Sequence, residues 1–259
     1  TTEIYTLSLH DALPIFGCGT GSFTQALSEK AGAVIAVEYD KVLFEIAYSE
    51  LIDRKNVQII NCDILESKKK LNPKVTEAIN EQLAKFDGKF KLVANLPYHV
   101  AAPAMVDLLV LDRHVDEMHV TVQKEMAQRM AAQAGSEHYG ILGIFLAVFG
   151  DVRITHKLPA SVFWPRPQVE SSIVEFKYDR QKAQRIKDVT VFREVINLLM
   201  GHRRKTLKSC TKFAHDRLES ISNWQEIFDK AGVDAHVRPE IITPQDYINI
   251  TDHIIEIIK

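Results

Sequence analysis

Short apolar runs alternate with stripes of helical period along the first two thirds of the chain. Ala33–Val37 is an unbroken apolar run closed by Glu38, and Val57–Cys62 reads as another strand, leading to Asp63. Leu92–Ala94, with Phe90 before them, form a third that runs into Asn95. Met118–Val122, Val152–His156 and Ser172–Tyr178 have the length and composition of further strands. Between these runs lie segments expected to be helical. They are a helix from Ser22, as N-cap, through Ala31; Lys41–Arg54, with Val42, Leu43, Ile46, Ala47 and Leu51 on its stripe; about Ala101–Leu111; Lys124–Gln133; and Ile141–Phe149. Strands alternating with helices at this spacing predict a doubly wound α/β sheet. The charged stretch Glu66–Asp87 is expected to be a mostly helical insertion with a polar outer face. Beyond about Arg180 the strand pattern stops, while Val191–Met200, Asn223–Ala231 and Gln245–Ile258 keep helical spacing. Residues 183–259 therefore read as a small all-helical second domain.

Residues 1–15, TTEIYTLSLHDALPI, look like the in-frame translation of a common short-read sequencing adapter. They are set aside as an adapter artefact, the first domain is drawn over 16–180, and the native N-terminal segment is expected to be missing. Ala12, Leu13, Ile15 and Phe16 nonetheless put apolar residues where the first strand should run. Buried parallel strands require apolarity more than particular residues, so Leu13–Phe16 is expected to be extended and paired. Pro14 offers no ladder donor, so the pairing should be short, with Thr1–Leu9 loose.

Composition narrows the function classes. With 259 residues, 46% apolar and 25% charged, the chain reads as a soluble globular protein of one large and one small domain. A net charge of −2 means that any nucleic-acid binding must come from a local basic surface. Cys18, Cys62 and Cys210 form no CxxC pair, so neither a disulfide framework nor a zinc site is expected, and cytoplasmic residence is. Cys18 and Cys62 read as small packing residues. The histidines show no ligand spacing, and no metal is expected. No apolar run approaches the ~20 residues needed to span a bilayer, so no membrane partner is expected.

The chemistry gathers at strand ends. Gly17, Gly19 and Gly21 in GCGTG, before a helix, suit a loop on which a nucleotide phosphate or a nucleoside sugar can lie. Glu38 follows at the end of the next strand, where a carboxylate can accept both ribose hydroxyls. Asp63 follows the third strand, where it could accept an adenine amine, and Asn95 ends the fourth. Ligands of open α/β sheets bind at these carboxyl ends. A nicotinamide dinucleotide would use a similar loop, but it leaves Asn95-Leu96-Pro97-Tyr98 unexplained. S-Adenosyl-L-methionine uses every piece: the glycines for its sugar and methionine portion, Glu38 for ribose, Asp63 for adenine. Asn95–Tyr98 is then free for a second, amine-bearing base. Asn95 Oδ1 and the carbonyl near Pro97 could accept the amine hydrogens while Tyr98 stacks on the ring.

FGCGTGSFTQALSEKAGAVIAVEYD, CDIL at 62–65, NLPYHVAAP, VQKEMAQRM, HYGILG, PASVFWPRPQVESSIVEF and HRRKTLK together resemble the ribosomal RNA adenine dimethyltransferases, over essentially all of residues 16–259. The resemblance implies a Rossmann-like S-adenosylmethionine-dependent methyltransferase sheet with a C-terminal helical domain. It implies dimethylation of two adjacent adenines near the 3′ end of small-subunit rRNA, within a ribosomal subunit precursor, by a monomer. It also implies that Gly17, Gly19, Gly21, Glu38, Asp63 and Asn95 contact the cofactor or stand beside it. Asn95, Pro97, Tyr98 and Phe163 would hold the target base, with Trp164 packing. On the same resemblance Arg203, Arg204, Lys205 and Lys208, in a run with no acid between Val195 and His215, are expected to contact rRNA phosphates. The plainer reading of that run is a solvated helix face. Two alternatives stand beside the main reading: a large-subunit rRNA methyltransferase of the macrolide-resistance type, and a non-catalytic RNA-binding assembly factor, against which the intact Asn95, Pro97 and Tyr98 argue. One departure matters. The family carries an acid two positions before the first loop glycine, and here that position is Ile15.

Overall fold

The structure, a computed structural model, describes residues 8–67, 70–96, 98–111, 115–163 and 166–258; the side chains of Tyr98 and His99 are outside that description. Five buried residues in succession make β1 (Ala12–Phe16). It lies parallel to β2 (Ala33–Glu38), in register from Ala12 opposite Ala33 to Phe16 opposite Val37. β2 in turn lies parallel to β3 (Val57–Asn61). The expected pairing of Leu13–Phe16 is present, and Leu9 is exposed; residues 1–7 lie outside the described residues. Helix α1 (Ser22–Ser28) follows β1 and α2 (Lys41–Leu51) follows β2. The N-cap of α1 is Gly21, not Ser22, and no side chain caps it. α2 is capped by Asp40, whose carboxylate accepts the N–H groups of Val42 and Leu43.

The stretch expected to be mostly helical begins instead with a small antiparallel pair, β4 (Leu65–Ser67) and β5 (Lys70–Leu71). The Asp107 carboxylate holds it through the Leu71 N–H at 2.7 Å. Helix α3 (Pro73–Leu83) then starts where Asn72 caps and Pro73 occupies the first turn, which tolerates a missing donor. β6 (Lys91–Asn95) returns beside β1: Ala12 bridges Phe90, and its N–H reaches the Lys89 carbonyl at 2.9 Å. Helix α4 (Tyr98–Leu109) and the parallel strand β7 (Glu117–Gln123) come next, then α5 (Lys124–Met130). After α6 (Ile141–Phe149) come β8 (Gly150–Leu158) and β9 (Ser171–Tyr178), and β9 lies antiparallel to β7. The sheet order is thus β3-β2-β1-β6-β7-β9-β8, reversing direction of travel between β1 and β6. That reversal opens a crevice at the carboxyl ends of β1 and β6.

The opposite, amino ends of β6 and β7 hold a buried charge cluster. Lys91, only 3% exposed, places Nζ 2.9 Å from Asp11 Oδ2 and 3.8 Å from Glu117 Oε2. His119 Nε2 stands 3.1 Å from the same Glu117 oxygen, and Lys89 reaches the other. Asp11 also accepts the Lys89 and Ser8 N–H groups through its carboxylate, and its carbonyl accepts those of Gly32 and Ala33.

The chain divides into two units, one of residues 1–127 and 153–178, the other of residues 128–152 and 179–259. A single break near residue 180 was expected, and the difference has a plain cause. α6 buries seven of its nine residues, more than one sheet-facing stripe requires, and it belongs inside the helical unit. There Phe145 meets Phe192 edge-on, with ring centroids 5.5 Å apart. Tyr139, ahead of α6, donates its hydroxyl to the Ile242 carbonyl at 3.1 Å. The unit continues with α7 (Arg180–Ala183), α8 (Val189–Gly201), α9 (Leu207–Cys210), α10 (Trp224–Ala231) and α11 (Pro244–Ile258). Among the described residues no helix is long and apolar enough to cross a membrane.

Candidate functional site

The loop leaving β1 turns through three left-handed glycines, Gly17, Gly19 and Gly21, with φ of 72°, 58° and 87°. Two of them need glycine for different reasons. A Cβ at Gly21 would stand 2.9 Å from Leu51 Cδ1 and 3.3 Å from Ala47 Cα, so this glycine seats the loop against α2. A Cβ at Gly19 would meet nothing within 4 Å, which leaves open space above the backbone for a ligand.

Glu38, buried at the end of β2, ties this loop to the next one. Its carboxylate accepts the Gly19 N–H at 2.8 Å and the Asp40 N–H at 3.0 Å. Each oxygen retains a lone pair for a further donor. Beside it, burial first and then the Glu38 carboxylate push the Cys18 thiol up to about 11. Cys18 is therefore a neutral packing group at physiological pH, as expected of it.

Sequence reading missed Asn61, the last residue of β3. Its amide donates to the carbonyls of Glu38 and Tyr39 at 2.8 and 3.2 Å and fixes the turn after β2. The available signal was a polar residue closing an apolar strand. Asp63 lies two residues beyond β3, exposed, with one carboxylate oxygen accepting the Leu65 N–H at 3.0 Å.

Asn95 closes β6, exposed, in register with Thr121 of β7. Gly17 comes so close to it that an added Cβ would lie 3.9 Å from the Asn95 carbonyl oxygen. The next residue, Leu96, gives its N–H to the Thr121 carbonyl at 3.1 Å, and α4 starts at Tyr98. Pro97 lies outside the described residues. The register aligns Glu38 with Asn61 and Phe16 with Val37, so the ends of β3, β2, β1 and β6 stand level. Three interstrand steps span about 14 Å, room for a nucleoside carrying an amino-acid chain.

Phe163, half-buried, ends the 3₁₀ turn Ala160–Val162. Lys124 pins the far end of its loop: its N–H reaches the Glu170 carbonyl at 3.0 Å and its Nζ the Glu170 carboxylate at 2.8 Å. Neither residue had stood out in the sequence. In the helical unit Arg203, Arg204 and Lys205 lie on the turn joining α8 to α9, and Lys208 lies within α9. Arg204, Lys205 and Lys208 are exposed. Arg203 differs, because its guanidinium is used by Glu240 at 2.9 Å and the Glu137 carbonyl at 2.8 Å.

The chain is similar to known proteins. Residues 9–251 match the model of the family described as Ribosomal RNA adenine dimethylase. The Ribosomal RNA small subunit methyltransferase A of Caldanaerobacter subterraneus subsp. tengcongensis is 36% identical over 245 residues, 94% of this chain and 86% of that protein. Among solved structures, a dimethyladenosine transferase from Plasmodium falciparum shares the fold with a TM-score of 0.69 at 20% identity, covering 94% of this chain and 90% of that one. The 23S rRNA methyltransferase ErmE shares it with a TM-score of 0.60 at 16% identity, over 96% and 93%. With a strand-end site of this form and a family match across nearly its whole length, the chain belongs to the ribosomal RNA adenine dimethylases.

Proposed function

We infer that this protein transfers methyl groups to the exocyclic amines of two adjacent adenines near the 3′ end of small-subunit rRNA. It does so as a monomer in the cytoplasm, on a ribosomal subunit precursor. The observation that carries the reading is the level row of strand ends bearing the glycine loop, Glu38 and Asn95. S-Adenosyl-L-methionine supplies an electrophilic methyl group on a sulfonium. The residues present fit it: Gly19 leaves space that a side chain would fill, and the Glu38 carboxylate keeps lone pairs for ribose hydroxyls. Ile15, 1% exposed within an apolar cluster, offers no carboxylate at the place where the family resemblance implies one.

Asn95, Pro97, Tyr98 and Phe163 hold the target base. An adenine amine is a poor nucleophile because its lone pair is delocalised into the ring. Asn95 Oδ1 and the Pro97 carbonyl accept its two hydrogens and favour a pyramidal nitrogen. Such alignment is worth roughly 7–11 kcal/mol in the best intramolecular cases. Tyr98 and Phe163 stack on the extruded ring. Water-poor walls help because positive charge at sulfur is lost in the transition state, and they leave a monomethylated amine free to return. The residue set contains no need for a side-chain nucleophile.

Asn95→Ala tests the assignment. Methyl transfer from radiolabelled cofactor should fall at least a hundredfold while RNA binding stays near normal. Near-normal turnover would refute the corner's role. Primer extension across both ribosomal RNAs should show the block only near the small-subunit 3′ end; a block in large-subunit rRNA would refute the substrate.

A further inference from the structure

The turn between α8 and α9 holds a feature that phosphate binding leaves unused. His202 stacks on Phe213 with ring centroids 3.9 Å apart and planes 26° apart. Lys205 Nζ lies over the Phe213 ring, 5.5 Å from its centroid, as a cation–π contact. Phe213 is 42% exposed, at the end of a short 3₁₀ turn. The cations around this stack fall into two kinds. Arg203 is consumed within the fold by Glu240 and Glu137. Arg204, Lys205, Lys208 and Lys212 are exposed, and among the described residues none of them has a carboxylate partner.

The turn that presents them is held firmly. Leu207 and Lys208 give their N–H groups to the carbonyls of Val237 and Ala235 at 2.9 and 3.0 Å. The Cys210 thiol lies 3.6 Å from the carbonyls of Leu199 and His202. A rigid cluster of uncompensated positive charge repels itself, and a polyanion offsets that cost. An exposed aromatic stack within such a cluster has one further affinity, for the face of a nucleobase. In a continuous duplex those faces are hidden between base pairs, whereas unpaired nucleotides present them.

We propose that His202 and Phe213 form a base-stacking platform on which an unpaired rRNA nucleotide lies while Arg204, Lys205, Lys208 and Lys212 neutralise its neighbouring phosphates. The proposal rests on the reading that this turn binds rRNA, and the test separates the two. Binding of the full chain is measured on two RNAs sharing one stem sequence, one closed by an unpaired loop and the other a continuous duplex. The wild type prefers the looped RNA. Phe213→Leu keeps an apolar side chain but cannot stack; it should lose about tenfold in affinity for the looped RNA, with duplex affinity and salt slope unchanged. Phe213→Tyr should restore the preference. Equal loss on both RNAs, or no loss on either, overturns the platform. Replacing Arg204, Lys205 and Lys208 with Gln should flatten the slope of log affinity against log salt on both RNAs, by about 0.9 per lost phosphate contact. An unchanged slope overturns the underlying reading instead.

Discussion

Glu117→Gln should destabilise the catalytic unit by an amount that depends on pH in a defined direction. Glu117 faces Lys91 across β6 and Lys177 across β9, with His119 on its own strand and Lys89 and Asp11 at the sheet's amino end. The His119 hydrogen bond first, then Lys89 and Lys91, outweigh burial and hold its carboxyl at about 2, below the ordinary 4.5. A depressed carboxyl contributes stability that is complete above the unfolded value and disappears as pH falls through the folded one. That shift corresponds to about 3 kcal/mol above pH ~5, and over half of it is gone by about pH 3. Lys89 is exposed, so its share is screened by salt, whereas the shares of His119 and Lys91 are not. At neutral pH the variant should melt about 6–12 °C below the wild type. Thermal unfolding across a pH series is the assay. A drop under about 2 °C, or a gap that stays constant between pH 7 and 3, would refute the reasoning. Lys91 begins the strand that Asn95 ends, so the variant should also lower turnover at temperatures well under its melting point.

Two further substitutions probe the cofactor side. Gly21→Ala forces a side chain onto a φ of 87° and against Leu51 and Ala47, and should cost about 1–3 kcal/mol in urea unfolding; a stability equal to wild type would show that the loop yields freely. Glu38→Gln leaves the Gly19 or Asp40 N–H facing an amide donor, and calorimetric titration should show S-adenosylmethionine binding at least about tenfold weaker. Equal affinity would mean that the carboxylate serves only the loop.

The sheet was legible because its signal is local. A buried parallel strand is a short apolar run, and the runs of β2 and β6 end on the polar residues Glu38 and Asn95. Register then aligns those ends without further information. What escaped was whatever depends on partners distant in the chain. α6 is apolar at every position, which marks it as buried, but that it is buried in the helical unit and not against the sheet shows only in three dimensions. Lys124 and Glu170, 46 positions apart, are unremarkable as letters and yet pin the loop that carries Phe163. The basic run makes the same point more sharply. Arg203 and Arg204 are adjacent and chemically identical, but Glu240, 37 positions away from Arg203, takes one guanidinium and leaves the other exposed.

Asp11 shows how a foreign-looking segment can still be structurally necessary. Residues 1–15 were set aside as unrelated to the enzyme, yet Asp11 meets four backbone N–H groups and the buried Lys91 ammonium. The slot beside β2 and β6 is filled by five buried apolar residues, held by main-chain ladder bonds to β2. The residue before the strand is held to a stricter requirement. Lys91 is only 3% exposed, and a buried ammonium without a carboxylate costs several kcal/mol. Glu117 stands farther off, at 3.8 Å, and is shared with His119 and Lys89. The acid at position 11 thus stands 2.9 Å from the ammonium of a lysine eighty positions downstream, whatever the origin of the codon that supplies it.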